Sequence, residues 1–353
     1  MSGLHHLSFH KGYHSEYEYT LAHSCAYSCV DVHSLPTSVT TFQPETNSLS
    51  TSSGQSITYD YLIVVPGIQI KPSLIKGLPS ALEDPASSVS SGYFPQYADK
   101  LREDVGKFKG GKAIFTQPGS PIKCAGAPQK VMWASLQRWR EAGVLKDVDL
   151  SFITGLFLLT ESVLGAENVL GMPTMFSVPK YSKILDEIRK DRGVEGLFGH
   201  DLVEVDAQRK LATFKAGEKM VQREYDLLHA VPKMGPYDFM KSSPLGKLSL
   251  IPLRPHSDAF VVGEAGYVEV DSKTTQHVRY PNIFSIGDAS NLPTSKTIAA
   301  ITAQAPVLVH NLHKVAHQNK PTAEYNGYTS CPLSKFAHPK TVIELTKNSC
   351  RQQ

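Results

Sequence analysis

Neither sign of charge dominates this sequence: 36 Lys and Arg face 33 Asp and Glu, for a formal net charge of +3. Such a balance offers no basic field to draw in a nucleic-acid backbone, and nucleic-acid partners are set aside. Long apolar runs are missing too. The longest, LSFITGLFLL from Leu150 to Leu159, is broken by Ser, Thr and Gly, and it falls well short of the roughly 20 residues a spanning helix needs. Five cysteines in 353 residues do not make a disulfide scaffold, so each is judged singly. The stretch before Thr37 has no apolar h-region and few arginines, so it carries no address of its own. Cys25 and Cys29 lie there beside His23 and His33, but a C-x-x-x-C pair without a second pair is a poor zinc spacing, and no metal is assigned. What is present is a 41% hydrophobic composition, enough to fill the cores of two ordinary domains.

From Ser52 the chain becomes regular. SITYDYLIVVPG (Ser56 to Gly67) reads as a buried strand stopped by a glycine turn. Gln96 to Phe108 reads as a helix with Tyr97, Leu101, Val105 and Phe108 on one face. Strands are expected at Lys112 to Thr116 and Val148 to Thr154. A helix from Pro128 to about Ala142 lies between them, with its proline in the favoured first turn. Pro179 to Gly193 is an amphipathic helix closed by glycine, and His200 to Lys215 a hairpin. Arg223 to Pro232 and Asn282 to Asn291 are further strands, and a helix is expected from Lys296 to His317. This alternation predicts a doubly wound α/β sheet with hairpin excursions.

Two places carry chemistry. NIFSIGD is an apolar strand ending in Gly-Asp, so Asp288 falls at a carboxyl edge where open α/β sheets bind ligands, and Gly287 lets a backbone approach closely. A ribose-like hydroxyl is a natural partner for Asp288, and the helix start after NLPTSKT points its free N–H groups at the same crevice. The second place is the loop TQPGSPIKCAGAPQK, which stands where a dinucleotide fold carries G-x-G-x-x-G. Without those glycines a pyrophosphate has no cradle, so no NAD(P)H is expected there. The loop offers Cys124 instead, near a helix N-terminus and between Lys123 and Lys130, all of which favour thiolate over thiol. Cys331, in the turn-rich NGYTSCPL, is not expected in packed core, and only a fold can bring it to Cys124. Taken alone, a lone cysteine is more often a small core hydrophobe.

KCAGAPQK, YDYLIVVPGIQI, YPNIFSIGDASNLPTSKT and GYTSCPL together resemble the mitochondrial type of sulfide:quinone oxidoreductase, over about Ser38 to Leu333. The resemblance implies an FAD/NAD(P)-binding, Rossmann-like two-domain flavoprotein. It matches Cys124 and Cys331 to a redox pair that cycles through a disulfide or trisulfide. Hydrogen sulfide opens this bond at Cys331 and leaves a persulfide there, while Cys124 passes two electrons to FAD and on to ubiquinone. Glutathione or sulfite then takes the sulfane sulfur. Val39, Asp288 and the run Lys296, Thr297, Ile298 and Ala299 match FAD contacts, and Gly287 joins them from the reading of the strand end.

The implied organisation is a poorly defined leader at 1–37, the remainder of the FAD-binding domain at 38–90 and 260–333, and a second Rossmann-like domain at 91–245. A further insertion is expected at 246–259 and a tail at 334–353, with another inserted stretch near Phe157 to Thr174. The family's glycine-rich FAD unit has no counterpart in residues 1–37, and only the tail stands where its quinone-binding and membrane-contacting region would follow, so the fold is expected to be N-terminally incomplete. Inner-mitochondrial-membrane association is the implied address. A second reading is a homologue that keeps the sheet and the thiols but no longer holds FAD, and a third is a related NADH:quinone flavoprotein, opposed by the loop at Gln117 to Gln129.

Overall fold

The computed structural model describes residues 6–9, 32–156, 174–176, 179–246 and 266–331. At its centre are the two apolar runs read as strands, Gly111–Gln117 and Val148–Thr154, each ending in five consecutive buried residues. A strand buried on both faces belongs inside a parallel sheet. The sheet has five strands in the order Glu195–Phe198, Val148–Thr154, Gly111–Gln117, Leu227–His229 and Val89–Ser90, and every pair is parallel. The chain moves outward on one side of Gly111–Gln117 and later returns on its other side. The order therefore reverses at that strand, and the loop leaving Gln117 opens at a topological switch point.

Each face of this sheet has its own cover. Phe115 and Phe152 pack beneath Trp133, Leu136 and Trp139 of the helix Ala127–Glu141 and Leu185 of the helix Pro179–Asp191. Trp139 satisfies its indole N–H on the Val105 carbonyl at 2.9 Å, as a buried tryptophan requires. On the opposite face Ile114, Ile153 and Leu228 meet Leu78 and Leu82 of the helix Leu78–Glu83, together with Leu202, Ala212 and Phe214. The last three come from an antiparallel meander of Asp201–Asp206, Leu211–Ala216 and Lys219–Glu224.

The expected hairpin thus gains a third strand, and the run Arg223 to Pro232 divides. Arg223 and Glu224 close the meander, while Leu227–His229 enters the main sheet. Asp226 fixes the break by accepting the Lys112 N–H at 2.9 Å. The strand Val89–Ser90 joins this sheet although it precedes the expected boundary at 90.

The rest of the chain builds a smaller set of layers. Val39–Gln43, Ser48–Thr51 and Ser56–Thr58 form an antiparallel sheet, and Leu62–Ile63 pairs in parallel with Ile283–Phe284. SITYDYLIVVPG was expected as one strand, but it splits at Tyr59–Tyr61. The reason is local: the Asn282 amide donates to the Asp60 carbonyl at 2.9 Å and to the Asn47 side chain at 2.8 Å, holding the chain in a bend there. Gln69–Lys71 pairs with Lys233–Gly235 and links the two sets. The last helix, Ile298–Ala316, begins two residues later than expected because Thr297 caps it, accepting the Ala300 N–H on its side-chain oxygen. In the leader, where the sequence reading placed no element, His6–Phe9 pairs in parallel with Val32–Leu35. Cys25, Cys29, Cys350 and both expected insertions lie wholly or almost wholly outside the described residues.

Candidate active site

The loop that leaves Gln117 at the switch point turns back at Cys124, whose φ of 50° is left-handed. A side chain with a Cβ avoids that region, so the conformation has to be held from outside. Three hydrogen bonds hold it. The Cys124 N–H donates to the Lys296 carbonyl at 2.8 Å, and the Cys124 carbonyl accepts from the Ala127 N–H at 2.8 Å and from the Tyr93 hydroxyl at 3.4 Å. Ala127 starts the helix that covers the sheet, so the cysteine sits on a rigid base.

Cys331 reaches the same place from the other end of the chain. Its Sγ lies 3.5 Å from the Sγ of Cys124, too far for a bond and close enough for one thiol to donate to the other. The Gly126 N–H, ahead of the helix start, donates to the Cys331 sulfur at 3.1 Å, while Lys130 reaches the Cys124 sulfur at 3.4 Å from one turn inside the helix. Cys331 is 0% exposed and belongs to the core that contains Phe115 and Trp133. The expectation that its loop stays out of packed core is therefore corrected: the loop's backbone is irregular over 326–331, but Cys331 packs beside the helix N-terminus.

These contacts divide one negative charge unequally. The hydrogen bond from Cys331, the ammonium of Lys130 and the Gly126 N–H together push Cys124 down to about 6, against the opposing effect of burial. Cys331 moves up, because its proton is held in the bond to Cys124 and burial disfavours a second anion. The pair is thus a thiolate at Cys124 and a thiol at Cys331. Two details of the sequence reading change. Only Lys130 of the two flanking lysines hydrogen-bonds the sulfur, whereas the charge of Lys123 acts on Asp288. The backbone N–H ahead of the helix hydrogen-bonds the Cys331 sulfur as well as lowering the Cys124 pKa. Tyr93 stays protonated as a donor, since burial and the nearby cysteine charge raise its pKa.

The second group of expected site residues gathers around the start of the helix Ile298–Ala316. Gly287 takes a φ of 67° and donates its N–H to the Gln304 side chain at 2.8 Å, and a Cβ there would come within 3.1 Å of Ile301. Asp288 follows it, half-buried, with no hydrogen-bond partner assigned among the described residues. Burial raises its pKa, and Lys296 and Lys123 pull the other way. Lys296 lies over the Tyr267 ring at 4.5 Å and donates to the Ser290 carbonyl at 3.1 Å. Thr297 is buried as the cap, Ala299 is half-buried, and Ile298 is 81% exposed. Val39 stands apart on the antiparallel sheet, half-buried against the cluster of Phe42, Leu49 and Val64. Sequence reasoning missed Tyr93, which no motif marks, and Thr329, which lay inside a quoted motif without drawing notice.

The chain is 43% identical over 302 residues to the sulfide:quinone oxidoreductase, mitochondrial, of Schizosaccharomyces pombe, and 40% identical over 300 residues to that of Dictyostelium discoideum. Each alignment covers 84% of this chain but 59% of the relative, so the chain spans less than two thirds of the curated relatives it matches. No family model matches it. Among solved structures, the sulfide:quinone oxidoreductase of Aquifex aeolicus superposes with a TM-score of 0.57 at 12% identity, over 81% of this chain and 61% of that one. A chain of the Tetrahymena thermophila mitochondrial ATP synthase gives 0.69 at 23% identity, over 86% and 68%. The water-forming NADH oxidase of Lactobacillus brevis gives 0.51 at 16% identity, over 84% and 56%. At such identities these likenesses speak for the fold, an α/β flavoprotein-reductase fold.

Proposed function

The chain belongs, over 84% of its length, to the mitochondrial sulfide:quinone oxidoreductase family, and we propose that it oxidises hydrogen sulfide to a cysteine persulfide and passes the electrons through FAD to ubiquinone. The observation that carries this reading is the 3.5 Å separation of Cys124 and Cys331 with Lys130 on the Cys124 sulfur.

In the oxidised pair the two sulfurs are joined. Hydrosulfide attacks one sulfur, the S–S bond breaks, and the other leaves as thiolate. The thiol of lower pKa leaves faster, which selects Cys124 as the leaving group and Cys331 as the sulfur that becomes the persulfide. Lys130 holds the charge that develops on Cys124. The terminal sulfur of the Cys331 persulfide then passes to a small nucleophile such as glutathione or sulfite, returning Cys331 to a thiol.

The residues around Asp288 fit a flavin dinucleotide. A half-buried carboxylate with no described partner is an acceptor for a sugar hydroxyl, and the positive-φ Gly287 lets backbone and ligand approach. Ile298, at the start of the same helix, leaves its apolar side chain exposed for a ring to cover. We assign Gly287, Asp288, Lys296, Thr297, Ile298 and Ala299 to this contact, and Val39 to the adenine side by family resemblance. FAD, when bound, would supply a two-electron acceptor for the Cys124 thiolate as the two sulfurs rejoin. The same reading assigns residues 91–245 to the second Rossmann-like domain and places the protein in the mitochondrion, associated with the inner membrane.

An absorption spectrum of the purified protein tests this reading. A flavin band bleached by sulfide and restored by a quinone supports it. Protein that is colourless, and stays so after FAD is added, identifies instead a homologue that keeps the thiol pair without flavin.

A further inference from the structure

We propose that Thr329 is a positioning residue for the cysteine pair: its buried hydroxyl ties the Cys331 segment to Ser295 and Thr297, on either side of the Lys296 carbonyl that anchors Cys124. This rests on the reading of Cys124 and Cys331 as a redox couple, and it adds what sets the distance between them.

No strand pairing joins the two cysteine segments, and residues 319–331 have neither helix nor strand. Both segments nevertheless converge on one anchor. The Cys124 N–H donates to the Lys296 carbonyl at 2.8 Å. Thr329, two positions before Cys331 and 2% exposed, donates its hydroxyl proton to the Ser295 carbonyl at 3.3 Å. Its oxygen lies 2.9 Å from the Thr297 hydroxyl, whose oxygen accepts the Ala300 N–H at 3.2 Å.

One arrangement of protons satisfies every bond: Ala300 donates to Thr297, Thr297 to Thr329, and Thr329 to Ser295. The anchor itself is rigid, because Thr297 is the cap of the 19-residue helix Ile298–Ala316. Without the Thr329 hydroxyl, the Ser295 carbonyl and the Thr297 proton lose their partners inside a buried site. The Cys331 segment then has to be ordered each time the disulfide forms, and that ordering opposes closure.

The test equilibrates the full chain with mixtures of oxidised and reduced glutathione, then quantifies the Cys124–Cys331 disulfide by peptide mapping. In this exchange the two cysteine thiols become a disulfide and one oxidised glutathione becomes two glutathione thiols, so two electrons and two protons move to glutathione. Thr329→Val is expected to lower the equilibrium constant for disulfide formation by about fivefold to tenfold, the size of one buried hydrogen bond. Thr329→Ser returns it to within about twofold of the parent, because the hydroxyl is restored. The pH midpoint of Cys124 alkylation moves upward in Thr329→Val and returns in Thr329→Ser, because the hydrogen bond from Cys331 that favours the Cys124 thiolate depends on the placement of this segment.

An unchanged constant in Thr329→Val overturns the proposal, as does an equal loss in the serine and valine variants, which would assign the effect to packing. Should valine not fold, Thr329→Ala against Thr329→Ser makes the same comparison. A parent protein that forms no disulfide at any ratio sinks the redox-pair reading itself, and the proposal with it.

Discussion

The Nζ of Lys130 lies 3.4 Å from the Sγ of Cys124, across one turn of the helix that begins at Ala127. A cation held there by the helix backbone cannot drift from the sulfur as a loop lysine would, and it favours the charged form of the thiol.

Alkylation of Cys124 by iodoacetamide is therefore expected to rise with pH and reach half its maximum at about pH 6. Lys130→Met removes the charge and one hydrogen bond, so the midpoint moves upward by about one unit or more and the rate at pH 6 falls at least about fivefold. A profile that is the same in both proteins would remove Lys130 from the account.

Sulfide added to the oxidised pair is expected to leave its sulfur on Cys331, because Cys124 is the better leaving group. Mass spectrometry of the two cysteine peptides after alkylation reads this directly. In a flavin-containing preparation Cys124→Ser abolishes bleaching by sulfide, and bleaching that persists would show that the electrons take another route.

Asp288→Asn keeps the shape of the strand end but removes the charged acceptor. Retention of FAD is expected to weaken by roughly tenfold, the scale of one charge-assisted hydrogen bond, with little change in the unfolding midpoint. Gly287→Ala should affect both, since a Cβ meets Ile301 at 3.1 Å and the φ of 67° disfavours any side chain. That backbone penalty alone is about 1–2 kcal/mol. Flavin titration and urea unfolding separate the two variants.

His229 gives the fold an acid sensitivity apart from the thiols. Its ring is fully buried against Phe115 and accepts the Gly92 N–H at 3.1 Å, and burial pushes its pKa down to about 4. Below pH 6.5 the unfolded chain takes up this proton and the folded one does not, so its contribution is complete above that pH and is lost as pH falls toward 4. Between pH 6.5 and 5 the loss is about 2 kcal/mol. Urea unfolding of the parent and of His229→Gln at both pH values tests it: the parent should show the steeper dependence.

Local sequence determined most of the elements. The burial of Gly111–Gln117 and Val148–Thr154 and the glycine turn before Asp288 depend on side chains within a few positions of one another, and their periodicity and turn chemistry were readable in order, whereas the helix start was read two residues early because the Thr297 cap was not. The split of SITYDYLIVVPG was not, because Asn282 makes it from far along the chain.

At the site the division is the same. The sequence marked Cys124 as a thiol beside lysines and a helix start. Only the tertiary structure assigned Lys130 to Cys124, Lys123 to the neighbourhood of Asp288, and the Gly126 N–H to Cys331. It also buried Cys331, recruited Tyr93 from the sheet edge and tied Thr329 to the helix cap. Cys124 and Cys331 are 207 positions apart, and what lies between them in space is set by the order of parallel strands and the packing of one helix start. No periodicity encodes such a distance; it exists only after the sheet has closed and both loops have found a common anchor.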